Sequence, residues 1–355
     1  LTDQGSGYIT QEMPDLLRTV DSTFRPIDIK LGPDGALYVA DWSNPIIQHG
    51  EVDFRDPRRD KEHGRIWRIA PKGSTPLARE DLTRLPTPAL LDRLNAPLAV
   101  TEAAARRLLV ERGAAAVAAD LAAWTARQTR DDARLRALWM YQALNLAPGP
   151  LLGTLLASSQ PEIRAGAART LGRDTTVATL RPLVADPHPR VRLEAVRVLG
   201  QLGTAAAAEL ALGALNHPMD PFLDYALWLT VNELARPWLA ALESGVWKPD
   251  GREIQLQTAL AALEPELSAP ALARLIASRG LPADGSGPWI ELIGSAGQAT
   301  EASRLLDFAV TSGSPIPAVV RALQALQEAS RLRGVSPAAP APRILRLLDA
   351  PDRGI

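Results

Sequence analysis

The spacing of apolar positions changes along the chain. From Thr23 to Leu31 apolar and polar residues alternate, with Ile27, Ile29 and Leu31 on one face, and Leu37, Tyr38 and Val39 follow after Gly32-Pro33-Asp34-Gly35. A period of two belongs to a strand; Asp-Gly supplies the positive φ of a tight turn, and Pro33 sets the corner before it. The pattern predicts a β-hairpin here, and Ile66-Trp67-Arg68-Ile69 predicts a third short strand. Residues 71–97 carry Pro76, Pro86 and Pro88 and read as a proline-rich linker with at most one short helix near Ala89 to Leu94.

From Leu98 onward the period is helical. Residues 101–150 alone contain fifteen alanines, which favour helix and close helix-to-helix contact. Helices are predicted at 98–112, 114–128, 131–146, 161–172, 189–202, 220–234 and 252–263, while beyond residue 265 the pattern blurs. Pro161, Ile163, Arg164, Ala167, Arg169, Leu171 and Gly172 reappear as Pro189, Val191, Arg192, Ala195, Arg197, Leu199 and Gly200 at a constant offset of 28 residues. The apolar members fall at i, i+4 and i+8, one helical face, between a starting Pro and a closing Gly. Leu135, Arg136, Trp139 and Ala143 form a weaker copy one step back, and Pro221, Leu223, Leu227 and Val231 a copy one step forward after about four extra residues. Such a period holds two short antiparallel helices, so the fold class is mostly α: an α-solenoid of HEAT-like helical repeats preceded by a small β segment. The domains expected are a β segment at 1–70, the linker at 71–97, the solenoid at 98–335, and a linker and terminal segment at 336–355, where Ser336 to Pro342 is rich in Pro and Ala.

Composition removes several kinds of chemistry. There is no cysteine, which excludes disulfides, thiolate metal sites, a cysteine nucleophile and the C-x-x-C-H attachment of haem c within this chain. Lys and Arg total 39 against 40 Asp and Glu, so no basic field points to nucleic acid. The four histidines are His49, His63, His188 and His217; His188 and His217 stand beside prolines, where turn and capping roles are expected. The chain opens at Leu1 with no basic-then-apolar leader and has no run of about 18 apolar residues, so a fragment of a longer parent is expected and no membrane-spanning segment. The Gly5-Ser6-Gly7 motif lacks the strand-turn-helix setting of a phosphate loop, and no nucleophile elbow or H-E-x-x-H is present.

The densest chemistry lies between Asp41 and Arg65. Five acids and five bases alternate from Glu51 to Arg65. Two readings apply: a loop that ties itself down through carboxylate–guanidinium pairs, or a ligand-facing loop in which His49 or His63 accepts a proton and Arg55, Arg58 or Arg59 holds an anion. Asp41, Asp53, Asp56 and Asp60 offer hard oxygens to a cation, but not at EF-hand spacing, and no metal site is expected. In the helical part Asp186, Arg192 and Arg164 are expected to form a polar ladder between repeats, and the tryptophans to pack between helices, with an exposed subset available for binding.

The run Phe24 to Trp42, with Asn44-Pro45, His49-Gly50, Phe54 to Asp60 and His63 to Arg68, resembles the bacterial membrane-bound dehydrogenase family that joins a glucose/sorbosone-dehydrogenase-like β-propeller to HEAT repeats and a haem-binding cytochrome c domain. Ala137 to Trp139 and Met219 to Trp228 look like its helical region, so the resemblance covers residues 20–250. It implies that residues 1–70 are the end of a propeller and that the parent is a periplasmic or membrane-associated, quinoprotein-like sugar or alcohol dehydrogenase. Its cofactors would be pyrroloquinoline quinone and haem c, and the partners of this chain the remaining blades and the cytochrome domain. The positions matching the family's loop are His49 and His63 as catalytic candidates and Arg55, Asp56, Arg58 and Arg59 as cofactor-binding candidates. At about 40 to 45 residues per blade this chain holds one or two blades, so it is expected to be non-catalytic alone, the repeats linking propeller to cytochrome for electron transfer. The alternative is a HEAT-repeat protein-binding scaffold with no redox role.

Overall fold

The computed structural model describes residues 1–46, 53, 55–78, 80–311, 313–338 and 345. Among them five short strands precede sixteen α-helices. Strands β1 (Thr2–Gln4) and β2 (Gly7–Ile9) pair as a small antiparallel hairpin whose tight turn needs Gly5 at φ +58°. Strands β3 (Pro26–Leu31), β4 (Leu37–Asp41) and β5 (Arg65–Ile69) form an antiparallel sheet in the order β3-β4-β5. The predicted hairpin is there. Gly35 N–H donates to Gly32 O at 3.0 Å across Pro33 and Asp34, Gly35 takes φ +80°, and Leu31 pairs with Leu37. Asp34 secures the corner by accepting from Tyr38 Oη at 3.0 Å and Arg68 Nε at 2.8 Å.

The chain divides into two units, Thr10–Ile163 and Leu1–Ile9 with Arg164–Ile355. The segment 1–70 is therefore not one piece: the first hairpin belongs with the later helices. In the Thr10–Ile163 unit the sheet is followed by α1 (Thr87–Asp92), α2 (Ala99–Arg112), α3 (Ala114–Arg127), α4 (Asp131–Ala143) and α5 (Leu151–Leu156). Their core gathers Leu90, Leu91, Leu94, Leu109, Leu121, Trp124 and Met140, and the Trp124 indole N–H reaches Asp92 Oδ1 at 2.9 Å. The one short helix expected near Ala89 to Leu94 is α1, and what the linker reading lacked is that its leucines join the core. Pro88 stands in the first turn of α1, where the missing N–H costs nothing, so a proline that looked like a breaker starts a helix whose leucines enter the core. Arg112 fastens the preceding residues by donating to Leu85 O at 2.5 Å and Thr87 Oγ1 at 3.1 Å.

In the second unit the repeat is visible element by element. After α6 (Pro161–Ala168) come α7 (Val177–Val184), α8 (Pro189–Leu199), α9 (Ala205–Leu212), α10 (Pro221–Glu233) and α11 (Ala235–Glu243). The offset of 28 holds for the second helix of each pair too: the hydroxyls of Thr176 and Thr204 cap α7 and α9, each accepting an N–H three residues on at 3.2 Å. Each helix packs on the one two places along, α7 on α9, α8 on α10 and α9 on α11, so the apolar face of one pair is covered by the next. Val191, Ala195 and Leu199 on α8, with Leu223 and Leu227 on α10, are fully buried there.

The stacking does not stop where the sequence pattern blurs. Helices α12 (Glu253–Ala262), α13 (Pro265–Arg279), α14 (Trp289–Ala296), α15 (Ala299–Val310) and α16 (Ile316–Arg333) continue it, α12 on α10, α14 on α12 and α16 on α14. Gly294 lets α14 meet Ala325 of α16 closely, and Arg333 donates to Gly294 O at 2.8 Å and Gly297 O at 2.9 Å. Of the expected terminal segment 336–355, Ala338 N–H reaches Ser303 Oγ at 2.9 Å, and most of the rest lies outside the described residues.

The β1–β2 hairpin seats on the starts of α8 and α10. Ser6 donates through N–H and Oγ to the two oxygens of Asp220 at 2.8 and 2.7 Å, while Asp220 also accepts the Phe222 and Leu223 N–H groups as the cap of α10. Burial works to raise the Asp220 pKa, but these four donors outweigh it and hold the carboxyl below its usual range. Arg190 lies 4.1 Å from the Tyr8 ring centroid and reaches Asp3 at 2.9 Å. A Cβ on Gly5 would come within 2.5 Å of Asp220, and one on Gly7 within 2.6 Å of Phe222. The Gly5-Ser6-Gly7 motif is thus a close-approach device, not a phosphate loop. Replacing Gly5 by Val is expected to speed hydrogen exchange of the Ser6 amide at least about tenfold, the loss of one hydrogen bond to a charged group, as read by NMR.

Candidate functional site

The charged segment is organised by one buried carboxylate, Asp41, at the end of β4. Its oxygens accept from Arg25 N–H at 2.7 Å, Ser43 N–H at 2.9 Å, Arg65 Nε at 2.8 Å and the Trp67 indole at 2.9 Å. Burial pushes its pKa up, yet the Arg25, Trp67 and Ser43 hydrogen bonds and the Arg65 charge more than offset it and leave the carboxyl below its ordinary range. Arg65 spans from this centre to Asp21 at 2.7 Å and Thr23 at 3.0 Å, joining β5 to the strand's approach on the other side of the sheet. Asp21, held by the Arg65 hydrogen bond first and by Thr23, is lowered to about 2. All four acceptor directions of Asp41 are used, so it has none left for a ligand or a cation.

The loop after it closes on itself. Asn44 donates to Asp60 O at 3.0 Å; Asp60 in turn accepts the Glu62 and His63 N–H groups at 3.0 Å and faces His63 Nδ1 at 3.1 Å. Asp56 takes a fork from Arg58 at 3.0 and 2.7 Å, and this hydrogen bond above all lowers its carboxyl to about 2. The Arg59 side chain is buried and donates to Asp53 O at 3.1 Å. Asp53 accepts from the Arg55 N–H at 2.8 Å, and the His63 ring is exposed to solvent. His49 lies outside the described residues.

Of the six candidates, Asp56 and Arg58 are brought together, on each other, and Arg59 is turned into the loop backbone. The arrangement is that of a segment tied down by planar ion pairs. Of the groups that would hold a quinone, Asp56 and Arg58 are engaged with each other and Arg59 with the loop backbone. Haem c finds no cysteine. Among the described residues no group of three or more His, Asp or Glu is placed to hold a metal ion. Asp41 entered the sequence reading only as a cation ligand; its role as the hub of the sheet needs partners 16 and 26 residues away, which no local pattern announces.

The polar ladder of the helical repeats is present in altered form. Arg164 forks onto Asp186 at 2.8 Å, whereas Arg192 reaches backbone carbonyls, Asp186 O at 2.8 Å and Pro218 O at 2.7 Å. Burial lowers the Arg192 pKa, with the Asp220 and Asp186 charges opposing. His188 Nδ1 caps α8, 3.3 Å from Arg190 N. The opposite edge of α10 carries exposed aromatic residues. Tyr225 and Trp228 stack at 5.9 Å and are exposed, and Tyr225 with Phe222 and Leu229 borders a cavity of about 680 Å³ between α8 and α10. Their positions, turned from Leu223, Leu227 and Val231 on the same helix, are the signal in the sequence that marks them.

Two family models match the chain. One, described as a domain of unknown function (DUF7133), covers residues 1–73, and the other, HEAT repeats, covers residues 149–228. No curated protein matches. Among the described residues no helix is long and apolar enough to cross a membrane. The chain carries HEAT repeats, in the stretch where the 28-residue offset is read directly from α6 to α9.

Asp41→Ala leaves the Arg65 and Trp67 donors without their acceptor and is expected to destabilise the sheet by roughly 3 kcal/mol, measured as faster amide exchange in β4 and β5. The pH dependence has a definite sign. Asp21 and Asp56 are lowered from 3.8 to about 2, so their contribution is full above about pH 4 and is lost as pH falls toward 2. The guanidinium protons of Arg65, bonded to Asp21, and of Arg58, bonded to Asp56, are the NMR reporters: they should hold their shifted positions above that window and lose them within it.

Proposed function

We propose that this chain is a non-catalytic structural part of a quinoprotein-like sugar or alcohol dehydrogenase, in which the β3–β5 sheet is the closing piece of a propeller. In this reading the HEAT repeats hold the propeller and a cytochrome c domain in a fixed relation for electron transfer. Pyrroloquinoline quinone and haem c belong to the other parts of the parent, which is periplasmic or membrane-associated.

The observation that carries the reading is the bare apolar surface of the sheet. Ile27 is 68% exposed, Ile29 56%, Ile66 75% and Trp67 40%. By register Ile29, Val39 and Trp67 share one face with Leu31, Leu37 and Ile69. A propeller blade covers both faces with its neighbours, and apolar residues left exposed on both faces of one sheet, Ile29 and Trp67 on one side and Ile66 on the other, are what a blade without neighbours leaves. The resemblance of residues 24–68 to the dehydrogenase family supports the same conclusion.

A second reading, a HEAT-repeat scaffold that binds another protein without redox chemistry, is favoured by the exposed Tyr225–Trp228 stack and the groove beside it. The two separate on the surrounding reading frame and its product. The dehydrogenase reading expects further blades before Leu1, a C-x-x-C-H after Ile355, and dye-linked oxidation of aldoses or alcohols by the whole protein loaded with quinone, lost in an Ile29→Lys, Ile66→Lys variant. A fully loaded whole protein with no such turnover contradicts it.

A further inference from the structure

A second cavity, of about 520 Å³, lies between α7, α9 and the start of α12 in the unit that carries the helical repeats. Its ionisable lining is unbalanced: Arg181 and Arg252 face a single acid, Glu209, with His217 beside them. Glu209 is engaged by Arg252 Nη1 at 2.8 Å, and the same guanidinium lies 5.6 Å from the ring centroid of Trp247, which is buried in the cavity wall. Arg181 and the His217 ring make no hydrogen bond or ion pair among the described residues. Gln255 Nε2 donates to Asn216 Oδ1 at 3.0 Å, fixing the amide rim. One net positive charge, a guanidinium fork without a partner, and an aromatic wall therefore meet in a concavity of the size that small ligands and inserted side chains occupy.

The geometry points to a binding site for a carboxylate. A guanidinium takes the two oxygens of a carboxylate in one plane, and the Trp247 wall suits the methylene stem that carries it. The carboxylate comes from an acidic segment of a partner protein or from a free dicarboxylate. The inference rests on the second reading above, the repeats as a binding scaffold, and gives that partner its chemistry. It is read by titration of this chain, so its failure is distinct from that of the oxidation assay.

The test is calorimetric titration of the intact chain with an acetylated tetra-glutamate peptide, its tetra-glutamine counterpart, succinate and inorganic phosphate. Saturable binding of tetra-glutamate or succinate is expected, weakened at least about tenfold by Arg181→Ala and less by Arg181→Lys, which keeps the charge but loses the fork. Raised salt should weaken it further. Binding of the peptide without succinate assigns the site to a protein partner, and binding of succinate assigns it to the free acid. Arg181 is exposed, so its variants should melt as the parent does, and Arg197→Ala, on another face, should bind normally. Absence of saturable binding by both carboxylates, equal binding of tetra-glutamine or phosphate, or affinity unchanged in Arg181→Ala overturns the assignment.

Discussion

A helix of eight to thirteen residues, the length of α6 to α11, cannot hold its shape in water alone, because too few hydrogen bonds repay the cost of nucleating it. Its apolar stripe has to be covered by a neighbour, and the neighbour's by the next. Everything distinctive in the Arg164–Ile355 unit follows from that constraint: the repeated face of Val191, Ala195 and Leu199, the small residues that allow close approach, and the capped starts that fix where each helix begins. Stacking buries most of α8, whereas α10 keeps one edge in solvent. Two surfaces differ from a solvated face: the aromatic edge of α10 and the cationic cavity lined by α7, α9 and the start of α12.

The sheet of the Thr10–Ile163 unit solves the opposite problem. Three strands make no second layer, so its cohesion comes from polar centres at its ends. Asp41 at one end and Asp34 at the other gather N–H, guanidinium, phenol and indole donors from residues far apart in sequence. Such centres order a small sheet without covering its apolar residues, and Ile27, Ile29 and Ile66 remain in water. The density of charge between Asp41 and Arg65 is accounted for by this need: Asp56 with Arg58, Asp60 with the His63 N–H and Arg59 with the loop backbone hold irregular chain in place.

The parts of the fold written in local patterns were legible. The Asp-Gly turn, the third strand, the Pro-to-Gly helices and their spacing needed only neighbouring residues, and the HEAT repeats follow from them. What was hidden depends on long-range partners. Pro88 looked like a break because its place in the first turn of α1 shows only once Leu90 and Leu91 are seen in the core. Gly5-Ser6-Gly7 has no local meaning until Asp220 stands against it. Helices α13 to α16 escaped because Pro270 falls inside α13 and α14 is short, so packing of α14 on α16 outweighs a weak pattern. In the candidate loop the residue types were visible, but whether they face a ligand or each other is a matter of geometry; among the described residues Asp56 faces Arg58 and Asp60 faces His63.

Amide hydrogen exchange across the whole chain tests most directly the central claim, that stacked repeats supply stability while the sheet stands uncovered. The account predicts slow, cooperative exchange shared by α8, α9 and α10, with much faster exchange along β3, an edge strand paired only with β4. Protection of β3 equal to that of α8, or helices that open one at a time with unrelated rates, would contradict it.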